Sequence, residues 1–268
     1  MKKIFPFLIA AMAVLSCSNN TDTQSNEGGE NAGPPLLGYN VVNIYPHDTS
    51  SFTEGLLVHN GQLYESTGGT PSRDNYVSWF GPVDLKSGKA VKKILLDTSY
   101  FGEGITILNG KLYQLTWEDQ IGFVYDVNTL QKIKEFKYTG EGWALTNDGK
   151  SLIMSDGSSN IRYLDPESLQ VQKILGVEDN NGPVSNINEL EWIHGYIYAN
   201  IWQTNFIIKI DPANGKVVGK YDLTALYNEA AKKFADANVL NGIAFDSAAN
   251  KVYVTGKTWP NLYEIKIN

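Results

Sequence analysis

The chain holds one cysteine among 268 residues, at position 17. A lone cysteine near one end closes no disulfide within a folded domain and leaves that domain no thiolate chemistry. Histidine is nearly as scarce: His47, His59 and His194 are the only three. With no HExxH and no Cys-rich spacing, a catalytic or structural zinc is not expected. His59 and His194 occupy matching positions, before Asn60-Gly61 and before Gly195, and read as exposed turn residues rather than ligands. Basic residues are also in deficit: Lys and Arg total 22 against 29 Asp and Glu, a formal charge of -7. An acidic domain argues against nucleic acid and anionic headgroups as the main partner. The G-x-S-x-G elbow is missing, and Gly102-Glu103-Gly104 lacks the Lys-Ser/Thr of a phosphate loop. Serine-hydrolase and nucleotide-binding readings are therefore poorly supported.

The first 16 residues carry a targeting pattern. Lys2 and Lys3 form a charged start, and Ile4 to Leu15 form an apolar run too short for an ordinary membrane span. A small residue then precedes the cysteine in Val14-Leu15-Ser16-Cys17, which resembles a bacterial lipobox. Residues 1–16 are thus expected to be a lipoprotein signal peptide, with Cys17 as the lipidated residue. Residues 18–35 hold almost no apolar side chains, and the span 17–38 is expected to be a flexible linker. That leaves 39–268 as the folded domain. The expected setting is the bacterial cell envelope, facing the periplasm or the cell surface. Membrane contact would be through the lipid anchor only, and a monomer is expected.

What the domain does have is repetition, which is sought before local structure. Gly104-Ile-Thr-Ile-Leu-Asn-Gly-Lys-Leu-Tyr113 matches Gly55-Leu-Leu-Val-His-Asn-Gly-Gln-Leu-Tyr64 in register, and Glu189 to Tyr198 fits the same frame. The stretches from Gly142 and from Gly242 fit with short insertions. A second signature alternates with the first: an apolar residue, an Asp and turn formers, at Asp84, Asp126, Asp165 and Asp211. Each unit thus predicts two hairpins, the content of a propeller blade. A β-sandwich or a β-helix predicts no such alternation. The expected fold is all-β, a five-bladed β-propeller. Residues 41–46 are expected to add a strand to the last blade. Residues 222–235 read as one amphipathic helix inserted before that blade, with Asp222 as its N-cap.

The repeat frame gives Glu103 four equivalents: Glu54, Glu141, Asn188 and Asn241. In a propeller such positions form a ring at one mouth of the central channel. The frame aligns Trp117 with Trp202 and Lys257, and Trp143 falls beside the ring. Carboxylates grouped against aromatic walls have raised pKa values, which suits acid–base work. The competing reading of the same ring is a structural cation, Ca²⁺ above all. The glycines flanking Glu103 are read as permitting tight backbone geometry and close approach of another molecule. Of the six tryptophans, Trp192 reads as blade packing and Trp259 is ambiguous.

Ordered motifs run through the whole domain. They include Phe52-Thr-Glu-Gly-Leu56, Tyr100-Phe-Gly-Glu-Gly104, Gly142-Trp143, Ser155-Asp-Gly157, Asn188-Glu-Leu-Glu191, Ala199-Asn-Ile-Trp-Gln-Thr204 and Val254-Thr-Gly-Lys-Thr-Trp-Pro260. In these the chain resembles the plant-type glutaminyl cyclases, or glutamine cyclotransferases. The resemblance implies a five-bladed propeller that converts N-terminal glutamine of peptides or proteins to pyroglutamate with release of ammonia. It implies no catalytic metal and no required cofactor. It assigns the acid–base role to Glu103, with Asn188 and Lys257 as polar partners and Phe52, Phe101, Trp117, Trp143 and Trp202 as an aromatic pocket. One residue departs from the pattern: Glu54 stands where the family usually has glutamine. A second carboxylate there is expected to raise the pKa of Glu103, shift the pH optimum upward or favour a cation. Two other classes compete: a non-catalytic propeller that binds a ligand or partner, and a metal-dependent propeller hydrolase such as a lactonase.

Overall fold

Asn60-Gly61, Asn109-Gly110 and His194-Gly195 each place two successive residues at positive φ, between 50° and 83°. That is the turn that suits two-residue hairpins, because its twist matches that of the strands. The second signature works through side chains. Asp126 Oδ1 accepts from the N–H groups of Asn128 and Thr129, and Asp165 repeats this with Glu167 and Ser168. These paired turns generate five antiparallel sheets, seen in a computed structural model that describes residues 33–72 and 75–267. The architecture is the five-bladed β-propeller.

Blade one runs through Thr53–His59, Gln62–Thr67 and Trp79–Asp84, with an outer edge broken into Lys89–Ala90 and Ile94–Leu95. Blade two comprises Gly102–Leu108, Lys111–Thr116, Ile121–Asp126 and Lys132–Lys137. Blade three comprises Ala144–Asn147, Leu152–Ser155, Asn160–Leu164 and Val171–Gly176. Blade four comprises Ile187–Ile193, Tyr196–Ile201, Phe206–Ile210 and Val217–Asp222. Blade five is Leu240–Asp246, Lys251–Gly256 and Asn261–Ile267, completed by the N-terminal strand Tyr39–Pro46. The first strand of each blade touches its counterparts on either side, which closes the ring about an axis.

The core is divided as the ring demands. Among the described residues the buried apolar side chains form five clusters, each wedged between two neighbouring blades. Phe80, Ile105 and Leu112 join blades one and two, and Leu115, Leu145 and Met154 join blades two and three. Each such side chain contributes roughly 1.5–3 kcal/mol on leaving water. Trp259 resolves as core: it is fully buried, and its indole N–H donates to Asn238 O at 2.7 Å. Trp192 packs half-buried against the cluster of blades three and four.

Ring closure has a polar lock. His47 Nδ1 lies 2.7 Å from Trp259 O and Nε2 lies 3.0 Å from Glu65 Oε1, all buried. Both partners are acceptors, so protonation of the ring lets both nitrogens donate. The neighbouring carboxylate of Glu65 and these hydrogen bonds raise its pKa, although burial opposes them. Glu65 also accepts from Ser51 Oγ and Thr53 Oγ1.

Two expectations need correction. The helix is Thr224–Lys233, shorter than 222–235, and its N-cap is Leu223. Asp222 ends the outer strand of blade four, and from there its Oδ1 accepts the N–H of Thr224 at 2.9 Å. The linker also ends earlier than residue 38. Leu37 N donates to Lys220 O and Lys220 N donates to Pro35 O, so residues 35–37 lie along blade four. The Leu37 side chain covers Gly219, where any Cβ would collide with it. The signal-peptide segment 1–16, Cys17 and the rest of the linker before residue 33 fall outside the described residues.

Candidate active site

The strand that carries Glu103 is irregular at that point. Gly102 pairs with Thr116 and Ile105 with Gln114, so one extra residue is bulged between them. Register shifts of the same kind occur at Glu54, at Asn188-Glu189 and at Asn241-Gly242. A bulge re-aims a side chain out of the regular alternation, and here it turns the ring residues toward the axis. Blade three differs: its first strand begins at Ala144, and Glu141 lies outside it. The flanking glycines prove to serve the fold. A Cβ on Gly104 would lie 2.4 Å from Ala144 Cα, and one on Gly55 would lie 2.8 Å from Ile105 N. The close approach is that of the next blade's backbone, not of a second molecule.

The ring opens into a cavity of about 500 Å³. The catalytic and pocket residues expected from sequence line it, namely Glu103, Asn188 and Lys257, Phe52 and Glu54, and Phe101, Trp117, Trp143 and Trp202, while the ring residue Glu141 does not. Four further residues line it that sequence reasoning missed: Tyr76, Gln203, Asn238 and Val239. Gln203 follows Trp202 directly, and Asn238-Val239 lead into the ring position of blade five, so the repeat frame held a signal for these three. Tyr76 sits in the long connection of blade one, outside the repeat, and nothing marked it. Asn241 backs the cavity without lining it.

The walls are two runs of rings in contact. Tyr76 and Phe52 have centroids 5.3 Å apart, Phe52 and Phe101 6.2 Å, and Phe101 and Trp117 5.6 Å. Trp143 and Trp202 meet edge to face at 5.6 Å. Glu141 Oε2 accepts from both Trp117 Nε1, at 2.7 Å, and Trp143 Nε1, at 2.8 Å.

The charges are arranged unequally. Glu54 Oε1 receives Lys257 Nζ at 2.6 Å, and its Oε2 accepts from Asn241 Nδ2 at 3.2 Å. Lys257 Nζ also stands 4.7 Å from the Phe52 ring centre, a cation–π distance. Glu54 is therefore the ion-pair partner of Lys257, and Lys257 does not anchor Glu103. Burial pushes the Glu54 carboxyl up, and the ammonium of Lys257 opposes this. Glu103 is buried, and among the described residues no side chain or N–H donates to its carboxyl. Only its backbone is held, by Ser66 Oγ donating to Glu103 O at 2.6 Å. Burial raises the Glu103 pKa well above the ordinary carboxylate range. Glu54 raises it further, Lys257 lowers it, and Glu141 raises it again. Asn188 is buried as well, and its amide oxygen has no protein partner among the described residues.

A buried acid, an unpartnered amide and a buried ion pair within aromatic walls can hold a small polar head and move protons on it. No group of three or more His, Cys, Asp or Glu among the described residues is arranged to hold a metal ion.

Comparison with known proteins bears on the family. The glutamine cyclotransferase family profile matches residues 8–267. A glutaminyl-peptide cyclotransferase of Arabidopsis thaliana is 39% identical over 253 residues, covering 90% of this chain and 77% of the relative. The crystal structure of Myxococcus xanthus glutaminyl cyclase superposes with a TM-score of 0.80 at 34% identity, covering 88% of this chain and 98% of that one. The chain is a member of the glutamine cyclotransferase family.

Proposed function

We propose that the protein is a glutaminyl-peptide cyclotransferase, an acyl-transfer enzyme that closes N-terminal glutamine to pyroglutamate and releases ammonia without a catalytic metal. The observation that carries the reading is Glu103: a buried carboxyl, pushed up in pKa and without a donor among the described residues, inside an aromatic cavity.

The reaction is intramolecular, so the main tasks are folding the glutaminyl head into an attacking conformer and moving two protons. Glu103 begins as a carboxylate beside the substrate ammonium and takes one proton from it. A raised acid pKa lies nearer that of an α-amine, ordinarily about 7.7–8.0, so this transfer costs little. The neutral amine then attacks the carboxamide carbon. Glu103 gives its proton to the departing nitrogen and regains one from the attacking nitrogen. Ammonia leaves and the lactam remains. Asn188 supports the carboxamide or its developing oxyanion, a role typically worth ~3 kcal/mol. The Glu54–Lys257 pair places its cation at the wall through Phe52. The indoles enclose the head and exclude water, while the peptide tail projects into solvent.

The test is ammonia release and the accompanying mass loss from a Gln-Ala peptide, with wild type and Glu103→Gln side by side. The variant is expected to keep the fold and lose roughly 10²–10⁴-fold in turnover. A wild type that binds the peptide but releases no ammonia at any pH would favour the non-catalytic binding propeller. We also propose that residues 1–16 direct export and that a lipid on Cys17 holds a monomer at the bacterial cell envelope. Cys17→Ala is then expected to move the protein from the membrane to the soluble fraction.

A further inference from the structure

Glu141 does not line the cavity, yet it lies at the junction of the two aromatic runs. One run is Tyr76, Phe52, Phe101 and Trp117, and the other is Trp143 and Trp202. They belong to different blades, and Trp117 and Trp143 meet at one oxygen, Glu141 Oε2, which accepts from both indole N–H groups. We propose that Glu141 is a positioning residue for cyclisation, which locks the two tryptophans into one continuous wall and so sets the fit of the glutaminyl head. This rests on the cyclotransferase reading of the site.

The chemistry favours such a role. Trp offers one donor and no acceptor, and an indole N–H without a partner at a half-buried wall is costly. A carboxylate oxygen has lone pairs for two donors, and charge makes both bonds stronger. The two donors fix each ring's rotation about its own strand end. Trp117 follows the second strand of blade two, and Trp143 precedes the first strand of blade three. Backbone bonds also strap this junction: Gly142 N donates to Trp117 O at 3.0 Å and Gly104 N donates to Trp143 O at 3.0 Å. Those bonds hold the chain path, whereas the Glu141 carboxylate holds the ring N–H groups themselves.

Two variants separate the contributions. Glu141→Gln keeps an oxygen that accepts from both indoles but removes the charge. Glu141→Leu keeps the bulk and removes the acceptor. The groups that face Glu103 are Glu54 and Lys257 from blades one and five, Glu141, and Tyr138, whose hydroxyl bonds to Thr116. Removing the charge of Glu141 while the others stay is expected to move the acid limb of the kcat/KM profile downward, with KM within about threefold of wild type. Glu141→Leu is expected to raise KM about tenfold or more, with kcat reduced less, as two hydrogen bonds are lost from the wall. Its near-UV circular dichroism should lose indole fine structure while far-UV signal is retained. Equal KM for all three proteins, with unchanged indole signals in Glu141→Leu, would overturn the proposal. So would a matching rise in KM for Gln and Leu, because the acceptor would then be irrelevant. If the wild type proves not to be a cyclase, the spectra alone decide whether Glu141 locks the indoles, and the two readings fail separately.

Discussion

Lys257→Met is the perturbation that the buried ion pair makes most informative. Lys257 and Glu54 have side chains 7% and 2% exposed, with Nζ and Oε1 2.6 Å apart. At an effective dielectric of about 20, charges at that distance attract by roughly 6 kcal/mol. Bringing both out of water costs several kcal/mol per ion, so the intact pair adds little net stability. Removing one partner is another matter. The Glu54 carboxylate would be left buried with only Asn241 Nδ2 as a donor, for an expected loss of ~3–5 kcal/mol. At about 2–4 °C per kcal/mol for a domain of this size, melting should fall by roughly 10 °C. The variant can recover part of the loss by protonating Glu54. That carboxyl would then have a folded pKa above its unfolded one, so its stability is present at low pH and is lost as pH rises through the folded value. Lys257→Met should therefore be closer to wild type in acid than at pH 8. The double variant Lys257→Met/Glu54→Gln restores neutrality and should regain most of the loss. Urea unfolding of the wild type and all three variants (Glu54→Gln among them) completes the cycle. A loss under about 1 kcal/mol in Lys257→Met, or a double variant no more stable than it, would refute the uncompensated-charge reasoning.

Three further outcomes are expected. The His47 imidazolium has a raised pKa, so its stability is complete below about 6.5 and declines as pH rises through the folded value; His47→Gln should flatten that decline in urea titrations taken across pH. Gly104→Ala drives a Cβ to 2.4 Å from Ala144 Cα, which should cost about 1–3 kcal/mol or more and lower the melting temperature without changing any charge. Dialysis against EDTA should leave ammonia release intact, while chelator-sensitive turnover in protein that remains folded would point to a metal mechanism.

The blades were legible because their turns are local. Asn-Gly pairs and Asp side chains act within three residues, and the repeat multiplies the signal five times. The ring was legible for the same reason: a bulge at the same point in four repeats gives the same frame position each time. What escaped reading depends on contacts between distant parts of the chain. Glu54 and Lys257 are 203 residues apart and meet only when the ring closes. Without that pairing, Glu54 reads as a free carboxylate, whereas it is ion-paired with Lys257 while still raising the pKa of Glu103. His47 passed unnoticed because Glu65 and Trp259 reach it from two blades. Asp222 looked like a cap from its residue type, but the strand of blade four claims it and shifts the helix start by two residues. At the glycines beside Glu103 the sequence shows that the backbone needs space, but not that the neighbouring blade, rather than a second molecule, takes it.

Blade four breaks the rule of those glycines, for it carries Glu189 where blades one and two carry Gly55 and Gly104. The Glu189 carboxylate reaches across the axis, with Oε2 accepting from Ile243 N at 2.8 Å and Oε1 from Leu56 N at 3.3 Å. Two residues further on, Glu191 accepts from Phe245 N and Thr146 Oγ1 near the far mouth. The cavity consequently has a floor, and the propeller is a cup rather than a pipe. On the proposed reaction, the single entrance of such a cup takes in a chain end more readily than a chain middle, which would sort termini from interior glutamines before any chemistry begins. The same entrance is the exit: on the proposed reaction, each lactam must withdraw before the next terminus can dock, which makes departure part of the cycle time.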